Sequence, residues 1–412
     1  MNPPRNFQPH PFSYHQEIEL RIDDLTNLGQ GVGRIDGWVI FVPFALPGEK
    51  VLARIWRNKK QYSDADLVEI LEASPDRQEP VCPLFQECGG CQYQHLSYKA
   101  QLEWKSKQIT QLLEKMAGLK TAVNNCLGRK DRTFGYRSKI TPHFRRPPHI
   151  PDTAIGFQRF SSRSIIDIES CPIASETINQ ALPVERQRLR DRGDSYRRGG
   201  TLLLRDSEGG VITDMKAIAT EKVGDHVFEF VAGEFFQNNP HVLPLMVDYA
   251  LDKAAGEGIE YLVDAYCGVG VFGICGHDRF QSVAGIEVSE RAVELAQSNA
   301  SRNKLQNLSF HLGQAEAIFQ QIDFPPDKTT VLLDPPRKGC DPDFIRQLLD
   351  FGPRRIVYVS CGPDTQARDV SMLAETAYMV TDVQPVDLFP QTRHIESIIT
   401  LERGELASPV PL

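Results

Sequence analysis

The second half of this 412-residue chain alternates short apolar segments with segments of helical length, and this alternation constrains its fold more than any other feature. The apolar segments begin after about Gly256 and read as five strands, at 259–265, 282–287, 308–312, 330–334 and 355–360. Strands separated by helices form a mainly parallel sheet with helices on both faces. The sequence therefore predicts an α/β domain over residues 234–404.

A glycine-rich loop follows the first of these strands. Gly268, Gly270 and Gly273 have the spacing G-x-G-x-x-G, and an acid, Glu287, lies 19 residues after the first glycine. Taken alone, this pattern fits the dinucleotide site of a nicotinamide dehydrogenase, and it also fits a purely structural turn. Asp264 at the strand end would repel a pyrophosphate but attract the ammonium of a methionyl group. The loop therefore favours S-adenosylmethionine as the ligand.

Three further side chains with chemical potential lie beside predicted strands. Asp334 ends one strand ahead of two prolines, Cys361 follows another, and Glu396 precedes an apolar segment at 398–401. Each has a structural explanation on its own: an aspartate that starts a turn, a buried thiol and a solvated carboxylate. Together they suit attack on a uracil ring. A thiolate that adds to C6 makes C5 nucleophilic, and a base must then remove the C5 proton.

At these residues the chain resembles the RNA uracil-5-methyltransferase family, from about residue 14 to about residue 402. The resemblance rests on the loop 264–270, Asp334-Pro335-Pro336-Arg337, Ser360-Cys361 and His394-Ile395-Glu396. It implies a Rossmann-like class I methyltransferase domain in which Cys361 is the nucleophile that attacks C6 and Glu396 accepts the C5 proton. It also implies that four residues bind S-adenosylmethionine: Gln237, Tyr266, Glu287 and Asp334.

Two positions depart from the family pattern. Gly362 stands where the family usually has asparagine, and Val271 stands where a polar residue is common. Neither change alters the thiolate or the base, so we expect an effect on affinity rather than on reaction type. Two other hypotheses remain open: an RNA-binding protein with a degenerate methyltransferase domain, and a methyltransferase that acts on a different RNA base.

Residues 14–75 have the pattern of a small β-barrel. Alternating segments at 17–22, 39–42 and 50–55 are separated by turns rich in glycine and proline. The segments 28–34 and 45–51 resemble the TRAM domain, an OB-like barrel that binds RNA. Basic residues around Trp56 and Tyr62 suit phosphate contacts and base stacking, although a charged hairpin has the same composition. A flexible arm at 1–13 and a flexible tail at 405–412 are predicted to flank the folded chain.

A small α+β central domain is predicted over residues 76–233. Apolar residues at helical spacing cover 97–116, and we expect this helix to pack on the catalytic domain. The chain has a formal net charge of −8, but segment 129–163 carries nine Lys or Arg and two Asp, which gives +7 and leaves −15 for the rest. Aromatic residues interleave with these cations, as in surfaces that bind phosphates and stack unpaired bases; a solvated face is the alternative. The sequence predicts a structured RNA partner whose target uridine leaves its stack, and the family resemblance implies that this RNA is a tRNA or a ribosomal RNA.

Three cysteines, Cys82, Cys88 and Cys91, lie on a glycine-rich loop, and Cys171 in a polar segment is the best fourth ligand. This spacing fits a zinc site or an iron–sulfur cluster. The family resemblance implies a [4Fe–4S] cluster with a structural or RNA-orienting role. Apart from Cys361, the remaining cysteines are predicted to be buried thiols: Cys126, Cys267, Cys275 and Cys340.

The start of the chain does not resemble a leader, and its apolar segments fall short of the ~20 residues that cross a bilayer. We therefore predict a cytoplasmic enzyme with reduced thiols and no membrane partner. We also predict a monomer with no obligate protein partner.

Overall fold

The N-terminal part of the chain forms a barrel. The structure is a computed structural model that describes residues 3–192, 196, 198–313 and 319–404. Its first strands are β1 (Glu17–Leu25), β2 (Gln30–Ile35), β3 (Trp38–Pro43), β4 (Lys50–Asn58) and β5 (Tyr62–Glu72). They close in the order β1-β2-β3-β5-β4. Alternate residues of β1 and β4 point into the barrel, as strands with one buried face require.

The sequence predicts β1, β3 and β4 but places a turn where β2 lies, because of Gly31 and Gly33. A Cβ atom at Gly31 would lie 2.6 Å from the carbonyl oxygen of Ala45, and one at Gly33 would lie 2.6 Å from that of Arg21. The two glycines therefore allow neighbouring backbone to come close within a strand.

The end of the predicted flexible arm is packed against the barrel. Phe12 is 9% exposed and belongs to the barrel core. Asn58 Nδ2 donates to the carbonyl oxygens of Gln8 and Phe12, both at 2.7 Å. The structure thus differs from the prediction for residues 8–12, because an aromatic side chain and a buried amide fix them. The predicted tail at 405–412 lies outside the described residues.

Helix α1 (Tyr98–Leu112) joins the barrel to the rest of the molecule. Ser97 caps its first turn by accepting from the amide of Ala100. A π-helical turn (Leu113–Ala117) follows and ends at Gly118, which has a φ of +66°. Ile109 and Leu113 pack in a core cluster of the catalytic domain.

The central region contains short strands and the helix α2 (Glu176–Asp191). Its strands are β6 (Lys139–Ile140), β7 (His143–Phe144), β8 (Gly156–Gln158), β9 (Ile165–Asp167), β10 (Gly200–Thr201), β11 (Leu204–Ser207) and β12 (Gly210–Ile212). They form two small sheets, ordered β10-β7-β8-β9 and β12-β11-β6. A hairpin of β13 (Ile218–Val223) and β14 (His226–Val231) follows. Phe228 and Phe230 of this hairpin belong to the core of the catalytic domain, which therefore begins before the predicted boundary at 234.

Within the described residues, seven strands form the catalytic sheet. They are β15 (Tyr261–Ala265), β16 (Ser282–Glu287), β17 (Leu308–Leu312), β18 (Thr329–Leu333), β19 (Arg355–Ser360), β20 (Tyr378–Val386) and β21 (Glu396–Arg403). Their order is β17-β16-β15-β18-β19-β21-β20, and β21 runs antiparallel to both of its neighbours. The strand order reverses between β15 and β18, which opens a crevice at the carboxyl ends of the strands.

Helices cover both faces of this sheet. They are α3 (Leu243–Ala254), α4 (Val271–Cys275), α5 (Glu290–Arg302), α6 (Pro342–Phe351) and α7 (Pro363–Ala374). One core cluster joins α3, α4 and α5 to the sheet, and a second joins α1, α6 and α7 to it. None of the described helices has the length and apolar character needed to cross a membrane.

Candidate active site

The two predicted catalytic side chains lie at one edge of the catalytic sheet. Cys361 directly follows β19, and Glu396 is the first residue of β21. These strands are antiparallel neighbours, and Ser360 lies opposite Ser397 in their ladder. The register therefore brings the thiol and the carboxyl group together, close enough for their charges to interact.

The thiol of Cys361 is partly buried. Burial raises its pKa to about 11, and the carboxylates of Glu396 and Asp334 contribute to the rise. The nearby positive charge of the Arg337 guanidinium opposes this rise in the pKa of the thiol. Arg337 is therefore the group that stabilises a thiolate at this position.

The carboxyl group of Glu396 is 2% exposed. Burial raises its pKa well above the usual value, and the neighbouring Asp334 adds to the shift. Arg337 and Lys105 act in the opposite direction. A carboxylate with a raised pKa holds a proton more firmly, which suits the group that must take a proton from carbon.

The glycine-rich loop turns sharply between β15 and α4. Tyr266, Gly268 and Gly270 have φ values of +64°, +54° and +90°. Asp264 Oδ2 accepts from the amide of Gly273 at 2.9 Å, whereas its Oδ1 is buried without a hydrogen-bond partner among the described residues. A Cβ atom at Gly268 would meet nothing within 4 Å, so the loop faces open space. A buried, unpaired carboxylate oxygen beside this loop fits the ammonium of S-adenosylmethionine.

Glu287 lies at the end of β16 and braces the same loop. Its Oε2 accepts from the amide of Gly268 at 3.1 Å. Its Oε1 accepts from the amides of Val288 at 2.8 Å and Ser289 at 2.9 Å. An acid at this strand end is placed where ribose hydroxyls are bound in open α/β sheets.

Asp334 and Tyr266 border the crevice from β18 and β15. Burial raises the pKa of Asp334 to about 7. The Tyr266 ring lies 5.2 Å from the ring of Phe344. The contact with Phe344 places the Tyr266 ring next to the glycine-rich loop.

Gln237 lies half-buried in the segment between β14 and α3. The two residues after it fix this segment: Asn238 Oδ1 accepts from Arg205 Nη1 at 3.2 Å, and Asn239 Nδ2 donates to the carbonyl oxygen of Leu388 at 2.8 Å. The segment thus connects the central region to the loop that precedes Glu396.

Comparisons with known proteins match this geometry. Residues 211–404 match the family model "tRNA (Uracil-5-)-methyltransferase", and residues 15–68 match the TRAM domain. The tRNA (uracil(54)-C(5))-methyltransferase of Schizosaccharomyces pombe is 41% identical, over 95% of this chain and 79% of that protein. The enzyme of the same name from Saccharomyces cerevisiae is 33% identical, over 95% of this chain and 74% of that protein. The chain belongs to the tRNA (uracil-5-)-methyltransferase family.

The family membership also agrees with a solved structure. The tRNA (uracil-54, C5)-methyltransferase of Pyrococcus abyssi, in complex with S-adenosyl-L-homocysteine, aligns with a TM-score of 0.71 and 25% identity, over 93% of this chain and 99% of that chain. The predicted class I fold and N-terminal TRAM barrel are confirmed. The protein is an S-adenosylmethionine-dependent RNA uracil-5-methyltransferase.

The role of Arg337 in this methyltransferase is not evident from its motif alone. The residue follows Pro335 and Pro336, which stiffen the loop after β18. A Cβ atom at Gly362 would lie 2.9 Å from the carbonyl oxygen of Arg337. The departure from asparagine at Gly362 thus lets the Arg337 loop pack closely against the nucleophile. Only the fold shows that Arg337 meets Cys361, because the two lie on different strand ends.

The four predicted metal ligands of the methyltransferase line one cavity of about 710 Å³. Burial raises the pKa of Cys91 to about 12, and the neighbouring Cys171, Cys88 and Cys82 add to the shift. The four thiols are therefore close enough to interact electrostatically. In the described part of the chain, no three His, Cys, Asp or Glu side chains are arranged to hold a metal ion.

The basic segment 129–163 of the methyltransferase is only partly available for RNA. Tyr136 and Phe144 are at most 2% exposed and belong to the interior, so they cannot stack on bases. Arg129 pairs with Asp131, and Arg159 pairs with Glu87. The other exposed cations of the segment are Lys130, Arg132, Arg145, Arg146 and Arg163, of which Arg132 lies 3.9 Å from Asp131.

Proposed function

We propose that this methyltransferase transfers a methyl group to C5 of uridine 54 in tRNA, the reaction named for its fungal relatives. The observation that carries the proposal is the meeting of Cys361, Arg337 and Glu396 beside a crevice lined with carboxylates. S-adenosylmethionine bound in that crevice supplies an electrophilic methyl group.

In the proposed mechanism, the Cys361 thiolate attacks C6 of the uracil, and the electrons of the C5–C6 double bond make C5 nucleophilic. C5 forms a bond to the methyl carbon, whose bond to sulfur breaks, and S-adenosylhomocysteine leaves. Glu396 then takes the C5 proton. The C5–C6 double bond reforms as the bond between C6 and the Cys361 sulfur breaks, which returns the thiolate.

The mechanism is tested by two substitutions in the full chain. We expect Cys361→Ala to abolish methyl transfer to tRNA, and Glu396→Gln to accumulate a covalent protein–RNA adduct that denaturing gels detect. Cys275→Ala, which changes another partly buried thiol, serves as the control and should keep its activity. Full turnover by Cys361→Ala would reject the covalent mechanism.

The target is tested with matched transcripts. A tRNA with uridine at position 54 should accept a labelled methyl group, whereas the same tRNA with cytidine there should not. Equal labelling of both transcripts, or labelling of ribosomal RNA alone, would contradict the proposed target. The cytoplasmic location and the monomeric state stay predictions.

We also propose that Cys82, Cys88, Cys91 and Cys171 hold a [4Fe–4S] cluster. Their shared cavity and the interaction of their charges support this proposal, and a cluster would have to draw together thiols that are not arranged around a metal ion in this structure. Cys₄ ligation is the usual arrangement for such clusters. Protein purified without oxygen should be brown, and Cys171→Ala should lose the colour. A colourless protein with one equivalent of zinc would contradict the assignment.

A further inference from the structure

A polar face of α1 lies against the loop that leads to Glu396. Gln101, Lys105 and Gln108 succeed one another at about one helical turn, and each is at most 1% exposed. Buried polar groups cost free energy unless they are hydrogen-bonded. Three of them on one helix face therefore need specific partners.

Lys105 joins the two ends of the loop 387–395. Its Nζ donates to Asp387 Oδ1 at 2.5 Å, to the carbonyl oxygen of His394 at 2.8 Å and to that of Phe389 at 3.4 Å. Asp387 directly follows β20, and His394 lies two residues before Glu396. A single ammonium thus fixes the first residue of the loop and the residue next to its end.

Gln101 holds the middle of the same loop. Its Nε2 donates to Gln391 Oε1, and its Oε1 accepts from the amide of Gln391, both at 3.0 Å. Gln391 has a φ of +68°, a conformation that costs free energy for a residue other than glycine. The contacts with α1 therefore maintain a loop conformation that the backbone does not favour by itself.

We propose that Lys105 is a positioning residue for methyl transfer, which fixes Glu396 in place by holding both ends of the loop 387–395. The inference rests on the proposed function, in which Glu396 takes the C5 proton. A buried ion pair generally stabilises a fold no more than an apolar pair of similar size does, because the cost of desolvating the charges offsets their attraction. Besides the charge that opposes the raised pKa of Glu396, the contribution of Lys105 is therefore the geometry of the loop.

The test compares Lys105→Met with Lys107→Met in the full chain. Lys107 lies on the same helix, but its side chain is 48% exposed. We expect Lys105→Met to lower kcat for tRNA methylation by about 100-fold, the effect of a small displacement of a reacting group. KM for tRNA and for S-adenosylmethionine should stay within about threefold, because neither binding site is touched. The covalent Cys361–RNA adduct should accumulate, and Lys107→Met should behave as the unchanged protein.

A double variant separates positioning from stability. Lys105→Met leaves Asp387 buried without its partner, whereas Lys105→Met with Asp387→Leu removes both charges. The double variant should unfold at nearly the same urea concentration as the unchanged protein. Its kcat for tRNA methylation should nevertheless remain low. Recovery of normal kcat in the double variant, or normal kcat in Lys105→Met, would overturn the proposal.

Failure of the proposed function is a different result, since the unchanged protein would then transfer no methyl group to tRNA. In that case the role of Lys105 in holding the loop is tested by hydrogen exchange of the amides at 387–395. Faster exchange in the double variant than in Lys107→Met supports the role of Lys105 in holding the loop, and equal exchange overturns it.

Discussion

At the scale of single residues, the crevice at the carboxyl ends of the catalytic strands is lined with carboxyl groups that are partly neutral near pH 7. Burial raises the pKa of Asp264 to about 7, and nearby Asp334 and Glu287 add to the shift. Burial alone raises the pKa of Asp334 to about 7. Groups of this kind are ionised more readily when a cation is placed beside them. The crevice thus links ligand binding to the loss of protons.

S-adenosylmethionine should therefore bind more tightly as the pH rises. Below pH 7 Asp264 and Asp334 are mostly protonated and attract the ammonium and sulfonium groups of the ligand weakly, and above pH 7 they are mostly ionised. Titration calorimetry should show an increase in affinity of about tenfold between about pH 5.5 and 7.5.

The Asp334→Asn variant and S-adenosylhomocysteine are the controls for this prediction. The variant lacks one titrating group, and S-adenosylhomocysteine lacks the sulfonium charge, so both should show a smaller pH dependence. An affinity for S-adenosylmethionine that is constant over this range would contradict the prediction.

At the scale of elements, the barrel contains ion pairs in two different environments. Glu49 is fully buried, and its carboxylate accepts from Arg77 Nε at 2.5 Å and from the amide of Leu46 at 2.8 Å. Arg21 and Glu72 form a pair whose side chains are 65% and 53% exposed. Of these two pairs, the buried one holds the segment after β5 to the turn before β4.

Glu49→Ala should destabilise the protein by about 3–5 kcal/mol, because it leaves the guanidinium of Arg77 unpaired. Glu72→Ala should change stability by less than about 1 kcal/mol, since the pair is solvated. Urea unfolding followed by the fluorescence of Trp38 and Trp56 in the barrel measures both effects. Equal losses of stability in the two variants would show that burial does not set the strength of these pairs.

Most strands of the catalytic sheet are predictable from the sequence, although β20 is not among the predicted strands, and those of the barrel are less so. Strands 282–287 and 355–360 have the predicted bounds, because strands buried on both faces are continuous apolar segments. Strand 308–312 also has the predicted bounds, although it lies at the edge of the sheet and only Phe310 in it is buried. β5 lacks that signal, since its acids Asp64 and Asp66 are stabilised by pairing with arginines of β4. Such pairing is visible only once the two strands are adjacent.

The candidate site likewise has residues that the sequence predicts and a residue that it does not. The motifs identify Cys361 and Glu396, because each carries a reactive group beside an apolar strand. Lys105 is not predictable, since a lysine on a helix is normally solvated and its partner Asp387 lies 282 residues away. The apolar spacing of α1 likewise suggests that Met116 is covered, but it is 49% exposed, and the buried face is largely polar.

At the scale of the whole molecule, α1 connects the barrel to the catalytic loop. Gln108 Nε2 donates to the carbonyl oxygens of Leu25 at 3.2 Å and Thr26 at 2.8 Å, at the end of β1. Lys105, about one turn earlier, holds the loop before Glu396. The barrel and the loop before Glu396 are therefore both held by side chains about one turn apart on the same helix.

Binding of tRNA should depend on salt through the exposed part of segment 129–163. Replacing Lys130 and Arg132 by alanine should reduce the slope of log K against log salt concentration by about 0.7–0.9 for each phosphate that these side chains neutralise. Lys99→Ala is the control, because Lys99 is 87% exposed on α1, outside the segment. Filter binding at several salt concentrations measures the slopes. An unchanged slope in the double variant would place the RNA on a different surface.

The pairing of Ser360 with Ser397 has a consequence for how sequences in this family can diverge. The separation of Cys361 from Glu396 is set by one step of a ladder between neighbouring strands. An insertion between α7 and β20 lengthens the chain between the two residues without altering that step. Only a slip of the strands changes it, and a slip by one residue would turn every buried side chain to the opposite face. The distance between nucleophile and base is thus protected by the same selection that keeps the core of the sheet apolar.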